Sequence, residues 1–265
     1  AEPPDIVARR LLRVNLSDLA SMGAEPTAYF LNLTLPARTN REWLSSFAEG
    51  IRVDQSAFRV RLLGGDTTHT KTSLTLTATL LGEVPTHGAI TRGGARAGDD
   101  IYVSGTIGDA SLGLKMLISG ADNQDELVKR FQLPEPRVSL GAKLRGLATA
   151  MADVSDGLAA DLVHICRASK VSATLDTDSI PLSVGVQTSL AAGNTDMTEI
   201  LSGGDDYELV FTASPDTAER IAAAAQSTEV PITHIGRISS GASEVIILGP
   251  DGREMKLETT GYRHF

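Results

Sequence analysis

Four segments of the 265-residue sequence combine a short apolar run with an aspartate beside glycine or serine. Glycine lets the backbone come close to a ligand, and a carboxylate at the end of a strand faces the crevice in which ligands bind. Several carboxylates in a chain with one cysteine favour an oxygen-liganded Mg²⁺ site, which suits phosphoryl transfer. The segments are residues 14–18 (VNLSD), 63–68 (LGGDTT), 153–157 (DVSDG) and 202–207 (SGGDDY).

Each aspartate also has a purely structural explanation. Asp156 is a favourable N-cap for the helix predicted to follow it, and Asp66, Asp205 or Asp206 could stabilise a turn. Asp18 is the exception, because it lies late in an apolar helix, where an unpaired carboxylate is rare. No single aspartate distinguishes a binding site from a structural role. The prediction that these residues converge on one site rests on their number.

Other catalytic and nucleotide-binding motifs are absent from the sequence. It has no G-x-x-x-x-G-K-[ST] loop and no glycine-rich loop combined with H-R-D and D-F-G, which excludes P-loop ATPases and protein kinases. Residues 105–109 (GTIGD) lack the third glycine of a dinucleotide site and predict a turn before a helix. His164 and Cys166 lie on a predicted helix, where packing or surface roles are favoured over catalysis.

The composition restricts the class of protein and its partners. The hydrophobic fraction of 42% and the charged fraction of 22% are typical of a globular chain of one large or two ordinary domains. The formal charge of −9 argues against nucleic acid as a partner, but allows a phosphorylated ligand that arrives with divalent cations. No apolar run approaches the roughly 18 residues of a membrane span, and no signal-peptide pattern opens the chain. With one cysteine, we expect a cytoplasmic protein.

The elements that must position these residues follow an α/β pattern in two parts. Apolar residues at helical spacing predict helices over 4–22 and 40–57, and strands are predicted over 29–35 and 58–63. Residues 73–81 alternate between leucine or alanine and threonine, which predicts a half-buried strand in an antiparallel or barrel-like sheet. Glycine, arginine and aspartate dominate 86–100, so we place the junction there and divide the chain into domains 1–90 and 91–265.

The second part alternates predicted strands with predicted helices. Pro134 and Pro136 separate two of the helices, and a turn at 250–252 closes a terminal hairpin. The predicted helices cover 110–119, 125–131, 137–151, 156–168 and 215–225. The predicted strands cover 101–104, 172–176, 207–213, 232–238, 245–248 and 254–257.

Several segments of the sequence match, in order, those of a known family. Together they resemble the thiamine-monophosphate kinases of the aminoimidazole-ribotide-synthetase-like superfamily, and the resemblance runs from the first helix to the last residue. Their order and spacing make the resemblance specific, whereas an isolated Gly-Gly-Asp would not. The segments are 14–26 (VNLSDLASMGAEP), 64–68 (GGDTT), 91–92 (TR), 98–99 (GD), 153–158 (DVSDGL), 203–209 (GGDDYEL) and 261–265 (GYRHF).

The resemblance implies ATP-dependent phosphorylation of thiamine monophosphate to thiamine diphosphate by direct transfer on Mg²⁺. It also implies a two-domain synthetase-like fold, in which a mixed N-terminal sheet pairs across a homodimer into a barrel and the C-terminal domain is an α/β sandwich. A carboxylate and an aromatic face suit the cationic thiazolium of the substrate. The family's metal ligands correspond to Asp18, Asp66, Asp153 and Asp156, its ATP-binding positions to Gly65, Asp66, Arg92 and Ser155, and its substrate-binding positions to Asp205 and Tyr262.

The sequence departs from the family at its start. The family carries an upstream segment with a Gly-Asp-Asp metal motif and a further aspartate, and this sequence begins after both. We therefore expect a partial metal site and, if the molecule lacks that segment, transfer reduced by a factor on the order of 10² or more. Two alternatives are a sister ATP-dependent synthetase that acts on another acceptor, and a dimeric nucleotide-binding remnant without catalysis. The 203–209 segment and the mid-chain position of the cysteine favour the kinase over the sister synthetases.

Overall fold

The N-terminal part of the fold is a three-stranded sheet covered by two helices. A computed structural model describes residues 2–120, 125–257 and 261. Helices α1 (Pro4–Ser21) and α2 (Arg41–Phe58) pack against strands β1 (Glu25–Pro36), β2 (Arg61–Thr70) and β3 (Thr75–Glu83), which are ordered β2-β1-β3. Strand β1 is parallel to β2 and antiparallel to β3, so the sheet is mixed, as expected.

Alternation along the strands determines which face of this sheet is buried. Tyr29 and Leu31, two positions apart on β1, pack with Leu12 of α1 and Phe47 of α2. In β3 the leucine and alanine positions from 76 to 80 are half-buried and the threonines between them are exposed. Successive side chains of a strand point to opposite faces, so the predicted half-buried strand over 73–81 is confirmed.

The C-terminal part contains a six-stranded sheet ordered β5-β7-β4-β8-β6-β9. All of its neighbouring strands are antiparallel except β6 and β9, which are parallel. The strands are β4 (Asp100–Ser104), β5 (Ala148–Asp153), β6 (Ser172–Asp176), β7 (Leu209–Ala213), β8 (Ile232–Ser239) and β9 (Val245–Leu248). The helices are α3 (Asp109–Ile118), α4 (Glu126–Gln132), α5 (Val138–Lys143), α6 (Leu158–Ser169), α7 (Val184–Ala191), α8 (Met197–Ser202) and α9 (Ala218–Thr228).

Both faces of the larger sheet are buried. Ile101 and Val103 of β4 belong to a core that includes residues of α6, whereas Tyr102 between them belongs to the opposite core. In that opposite core Tyr102 stacks on Phe211 of β7, with ring centroids 5.3 Å apart. Helices on both faces of one sheet make this part an α/β sandwich, as the resemblance implies.

Helix α1 joins the two parts of the fold. Arg13 pairs with Asp54 of α2 at 2.8 Å and with Glu135, which lies between α4 and α5, at 2.7 Å. Near the end of α1, a Cβ on Gly141 of α5 would lie 2.1 Å from the carbonyl oxygen of Ala20, so only glycine permits this close approach. The same helix therefore contacts the N-terminal sheet and the C-terminal helices.

Several predicted elements are wrong in their extent, and the strand predicted over 254–257 is only an isolated bridge between Leu248 and Glu254. The helix predicted over 137–151 ends at Lys143, because Gly146, with a φ of 71°, forms a turn and β5 begins at Ala148. The strand predicted over 58–63 begins only at Arg61, after α2 has ended at Arg59 in the left-handed region, and it continues to Thr70. Within the described residues, no helix combines the length and apolar character that crossing a membrane requires.

Candidate active site

A cavity of about 700 Å³ lies where α1 meets the loops that follow β5 and α8. Asp18 of α1, Asp153 at the end of β5, and Ser155 and Asp156 just after it line this cavity. Asp205, from the loop before β7, also lines it. The structure thus brings together five of the predicted site residues from three separate segments.

Asp18 and Asp153 are neighbouring carboxylates in the lining of this cavity. Burial, together with the neighbouring carboxylate of Asp18, raises the pKa of Asp153 to about 6, although Ser17 and Arg92 act in the opposite direction. Burial also raises the pKa of Asp18, again opposed by Arg92. Two carboxylates held this close destabilise each other's charged form, so the arrangement favours a cation between them.

The turn from residue 153 to 157 is held by a residue that sequence reasoning missed. One oxygen of the Asp161 carboxylate, Oδ2, accepts hydrogen bonds from the backbone N–H of Ser155 at 2.9 Å and of Asp156 at 3.0 Å. Asp161 is 2% exposed, and burial raises its pKa to about 7 even though these two bonds lower it. Its place in the first turn of α6, just after DVSDG, was the available signal.

Asp156 does not cap helix α6. The N-cap position is occupied by Gly157, with a φ of 122° and no side-chain cap. The structural explanation of Asp156 as an N-cap is therefore wrong. Asp156 instead lines the cavity. The ligand atoms of Asp156, Asp161 and His164 lie within 4.8 Å of one another, which extends the acidic group along α6 to the exposed His164.

The loop before β7 is fastened to this turn by backbone hydrogen bonds. The N–H of Asp205 donates to the carbonyl oxygen of Ser155 at 2.9 Å, and that of Tyr207 donates to Val154 at 2.8 Å. Asp205 and Tyr207 have φ values of 71° and 51°, in the left-handed region that non-glycine residues rarely adopt. Such backbone strain is typical of loops whose shape serves a binding site.

Asp206 and Glu208, which alternate with Asp205 and Tyr207 along the chain, point into the protein. Asp206 accepts hydrogen bonds from the N–H groups of Gly108 at 2.7 Å and Ala110 at 3.0 Å, at the start of α3, and burial raises its pKa to about 7. Glu208 is fully buried; burial would raise its pKa, but Arg137 and Arg130 hold it below its usual value. These residues anchor the loop from behind, so Asp205 alone of the three carboxylates lines the cavity.

Arg92 lines a neighbouring cavity of about 470 Å³. Asp18 lies on the walls of both cavities, and the charge of Arg92 lowers its pKa. Asp18 is therefore the residue that links the acidic cavity to the predicted phosphate-binding arginine.

Two predicted site residues, Gly65 and Asp66, line neither of these two cavities. Gly65 and Asp66 lie within β2 instead of at its end, and both are exposed. Asp66 Oδ1 accepts a hydrogen bond from the N–H of Thr67 at 2.8 Å. Tyr262 lies outside the described residues, although its neighbour Gly261 is so close to Asp156 that a Cβ there would lie 2.5 Å from the Asp156 carbonyl oxygen.

Comparison with known proteins places this site in a family. Residues 1–84 match the family model of the AIR synthase related protein, N-terminal domain, and residues 96–249 match that of its C-terminal domain. The thiamine-monophosphate kinase of Caulobacter vibrioides is 40% identical over 267 residues, which is 99% of this chain and 75% of that protein. The chain belongs to the thiamine-monophosphate kinase family. The Bacillus subtilis (strain 168) member of the family is 33% identical over 99% of this chain and 82% of its own length.

Solved structures of the thiamine-monophosphate kinase family share the fold. The crystal structure from Stenotrophomonas maltophilia K279a has a TM-score of 0.87 at 39% identity, and covers 95% of this chain and 80% of its own. The structure of AaThiL complexed with AMPPCP and TMP has a TM-score of 0.87 at 28% identity, and covers 100% of this chain and 82% of its own. Hydrogenase maturation protein HypE, at 19% identity and a TM-score of 0.82, shares the fold alone. The family and the two-domain α/β fold expected from the sequence are confirmed, and the sister-synthetase alternative is not favoured.

Proposed function

We propose that this protein transfers the terminal phosphoryl group of ATP to the phosphate of thiamine monophosphate. A phosphate oxygen of the acceptor forms the new bond to phosphorus, the bond from that phosphorus to the β–γ bridging oxygen breaks, and ADP leaves. The observation that carries the proposal is the single cavity shared by Asp18, Asp153, Asp156 and Asp205. Its relative AaThiL was solved with AMPPCP and TMP, which are an ATP analogue and a phosphorylated acceptor in one protein.

The acidic end of the cavity fits Mg²⁺. Among the residues that the structure describes, no lysine or arginine forms a salt bridge with Asp18, Asp153 or Asp156, although Asp153 is 3% exposed. Clustered carboxylates that form no salt bridge are the hard oxygen ligands that this ion prefers. We assign its binding to these three aspartates, with Asp66 as a further ligand. When bound, Mg²⁺ neutralises the charge on the phosphate oxygens as the phosphoryl group moves.

The residues of the chain have separate tasks in this proposal. Ser155 and Arg92, with Gly65 and Asp66, bind ATP, and the planar guanidinium of Arg92 suits two phosphate oxygens at once. Asp161 keeps the turn that carries Ser155 and Asp156 in one position by accepting both N–H groups. No side chain has to take up or release a proton in this scheme, because a phosphate oxygen is already nucleophilic.

Another part of the cavity lining suits the thiamine moiety. Asp205 provides a negative charge, and Phe131 and Tyr207 provide aromatic surface in the same wall. A cationic thiazolium ring gains from both, since a positive charge is attracted to a carboxylate and to the face of an aromatic ring. Tyr262 completes this part of the lining in our proposal.

A homodimer accounts for the exposed apolar surface of the N-terminal sheet. Phe30, Leu62, Leu63 and Leu81 lie on its three strands and are 41–56% exposed. Large apolar side chains grouped on one sheet are typical of an interface. We propose that two copies pair these sheets, that Gly65 and Asp66 of β2 reach the nucleotide in the dimer, and that the domains are 1–90 and 91–265 in a cytoplasmic enzyme.

The proposed function is tested with purified protein, ATP, Mg²⁺ and thiamine monophosphate. We expect thiamine diphosphate to form, and chelation of Mg²⁺ to stop its formation. An aminoimidazole ribotide precursor serves as the control acceptor, and turnover of this compound but not of thiamine monophosphate would contradict the proposal. Calorimetric binding of Mg·ATP with no product would instead support the non-catalytic alternative.

A further inference from the structure

Arg10 of α1 contacts Asp205 in the loop before β7, although Arg10 itself does not line the cavity. Its Nη2 lies 3.0 Å from Oδ1 of Asp205, and the two residues are 195 positions apart in the sequence. Its guanidinium carbon lies 4.0 Å from the centroid of the Phe131 ring, and its Nη1 donates a hydrogen bond to the Phe131 carbonyl oxygen. The side chain is 19% exposed, so most of it is enclosed between α1, α4 and the loop.

The contacts of Asp205 are divided unequally between its two oxygens. Oδ1 is held by Arg10 and also accepts a hydrogen bond from the hydroxyl of Tyr207 at 3.2 Å. Oδ2 accepts no hydrogen bond within the ranges 2–120 and 125–257, and the ion pair with Arg10 is made at Oδ1. The backbone N–H of Asp205 is bound to Ser155. One oxygen of this carboxylate is therefore fixed while the other is available to a ligand in the cavity.

We infer that Arg10 is a positioning residue for recognition of the acceptor substrate. It holds Asp205 through an ion pair at Oδ1, which also accepts the hydrogen bond from the Tyr207 hydroxyl, so that Oδ2 meets the cationic part of the acceptor. Phe131 in turn fixes Arg10 by accepting its N–H and by cation–π contact. This inference rests on the proposed function, because it takes Asp205 as the residue that contacts thiamine monophosphate.

The direction of the expected effect follows from the charges of the substrate. Removing Arg10 leaves Asp205 more negative, which alone would strengthen attraction for a cation. Thiamine monophosphate, however, carries a phosphate as well as a thiazolium, so a lost positive charge also weakens attraction for its anionic end. The two effects oppose each other, and the loss of orientation then decides the outcome. We therefore expect weaker binding of the acceptor and an unchanged interaction with ATP.

The test is a double-mutant cycle of Arg10→Met and Asp205→Asn, with kcat and KM measured for both substrates and acceptor binding measured by calorimetry. A charge-assisted hydrogen bond has a free energy that corresponds to about tenfold in affinity, so each single variant should raise KM for thiamine monophosphate about tenfold. KM for ATP should stay within about twofold. In the Asp205→Asn background, Arg10→Met should add less than about twofold, because its effect passes through Asp205.

Each other outcome overturns the inference in a recognisable way. Multiplicative effects, an equal rise in KM for ATP, or a fall in KM for the acceptor would each mean that Arg10 does not act by orienting Asp205. If Arg10→Met does not fold, Tyr207→Phe removes the hydroxyl that donates a hydrogen bond to Oδ1, and its smaller effect on the acceptor must also vanish with Asp205→Asn. Arg52→Met, at an exposed arginine of α2 paired with Glu49, is the matched control. A wild-type protein that cannot phosphorylate thiamine monophosphate would refute the proposed function itself.

Discussion

Asp161 allows the acceptor function of a carboxylate to be separated from its charge. Both N–H groups of the 153–157 turn donate to one oxygen, Oδ2, at 2.9 and 3.0 Å. In Asp161→Asn, the amide oxygen can take that place and accept both bonds without a charge. In Asp161→Ala, the N–H groups of Ser155 and Asp156 lose their acceptor within a partly buried turn. The two variants therefore differ in the property that positions the turn.

The magnitude follows from the two lost bonds. A buried N–H without an acceptor costs about 1–3 kcal/mol, so two of them should lower the free energy of unfolding of Asp161→Ala by about 2–6 kcal/mol. Displacement of Ser155 and Asp156 should also lower kcat by at least about tenfold, since misplaced ligand-binding groups are costly to transfer. Asp161→Asn should retain wild-type kcat to within about threefold.

The assays are urea denaturation without Mg²⁺ and steady-state kinetics with saturating ATP and Mg²⁺. Burial raises the pKa of Asp161 to about 7, so its carboxylate destabilises the folded protein above that pH and ceases to do so as the pH falls. The Asn variant should lack this contribution and gain stability relative to wild type at pH 8. If Asp161→Asn loses as much activity as Asp161→Ala, the charge of Asp161 is what matters and the positioning argument is refuted.

Three further predictions concern buried charge, the metal site and the dimer. Glu208→Gln should lower the free energy of unfolding by about 3–5 kcal/mol at pH 7, because it leaves two arginines beside a neutral group. The control Glu135→Gln, at a half-exposed salt bridge, should lower the free energy of unfolding by less than about 1 kcal/mol in the same denaturation experiment. The lowered pKa of Glu208 means that its contribution is complete above its ordinary pKa and is lost as the pH falls through the lower folded value, so Gln should remove part of the acid sensitivity; equal loss in the two variants would contradict this. Asp156→Asn should lower kcat by at least about tenfold while the exposed Asp216→Asn leaves it unchanged, and similar kcat values would count against the metal assignment. Leu63→Asp should shift the protein from dimer to monomer in light scattering, and an unchanged mass would place the interface elsewhere.

Much of the fold could be predicted from the sequence because apolar periodicity reports burial directly. The strand over 172–176 agrees residue for residue with β6, and α2 begins one residue after Asn40, whose side chain accepts the N–H of Trp43. Long amphipathic segments fold as their pattern indicates, since one face must be buried. The helix predicted over 137–151 fails because its apolar residues after Gly146 belong to β5, an edge strand whose last four residues are all buried, so no alternation marks it as a strand.

The limits of the sequence at the site have a different cause. Asp66 follows two glycines, which favour a turn locally, but pairing of β2 with β1 places Asn32 opposite Asp66 and keeps the segment extended. The position of Asp156 just before a helix predicts an N-cap. In the structure Gly157 occupies the N-cap position, and the helix begins at the next residue. Arg10 carries no motif at all, because its partner Asp205 becomes a neighbour only in the folded chain.

The path of α1 across both halves of the molecule also limits how the gene can recombine. This one helix carries Arg10 and Asp18, whereas the groups they face, Asp205 and Asp153, come from the other side of the junction. A crossover in the 86–100 region between two diverged homologues would join a helix from one parent to loops from the other. Such a hybrid would inherit mismatched halves of a single pocket, so the two coding segments have to diverge together.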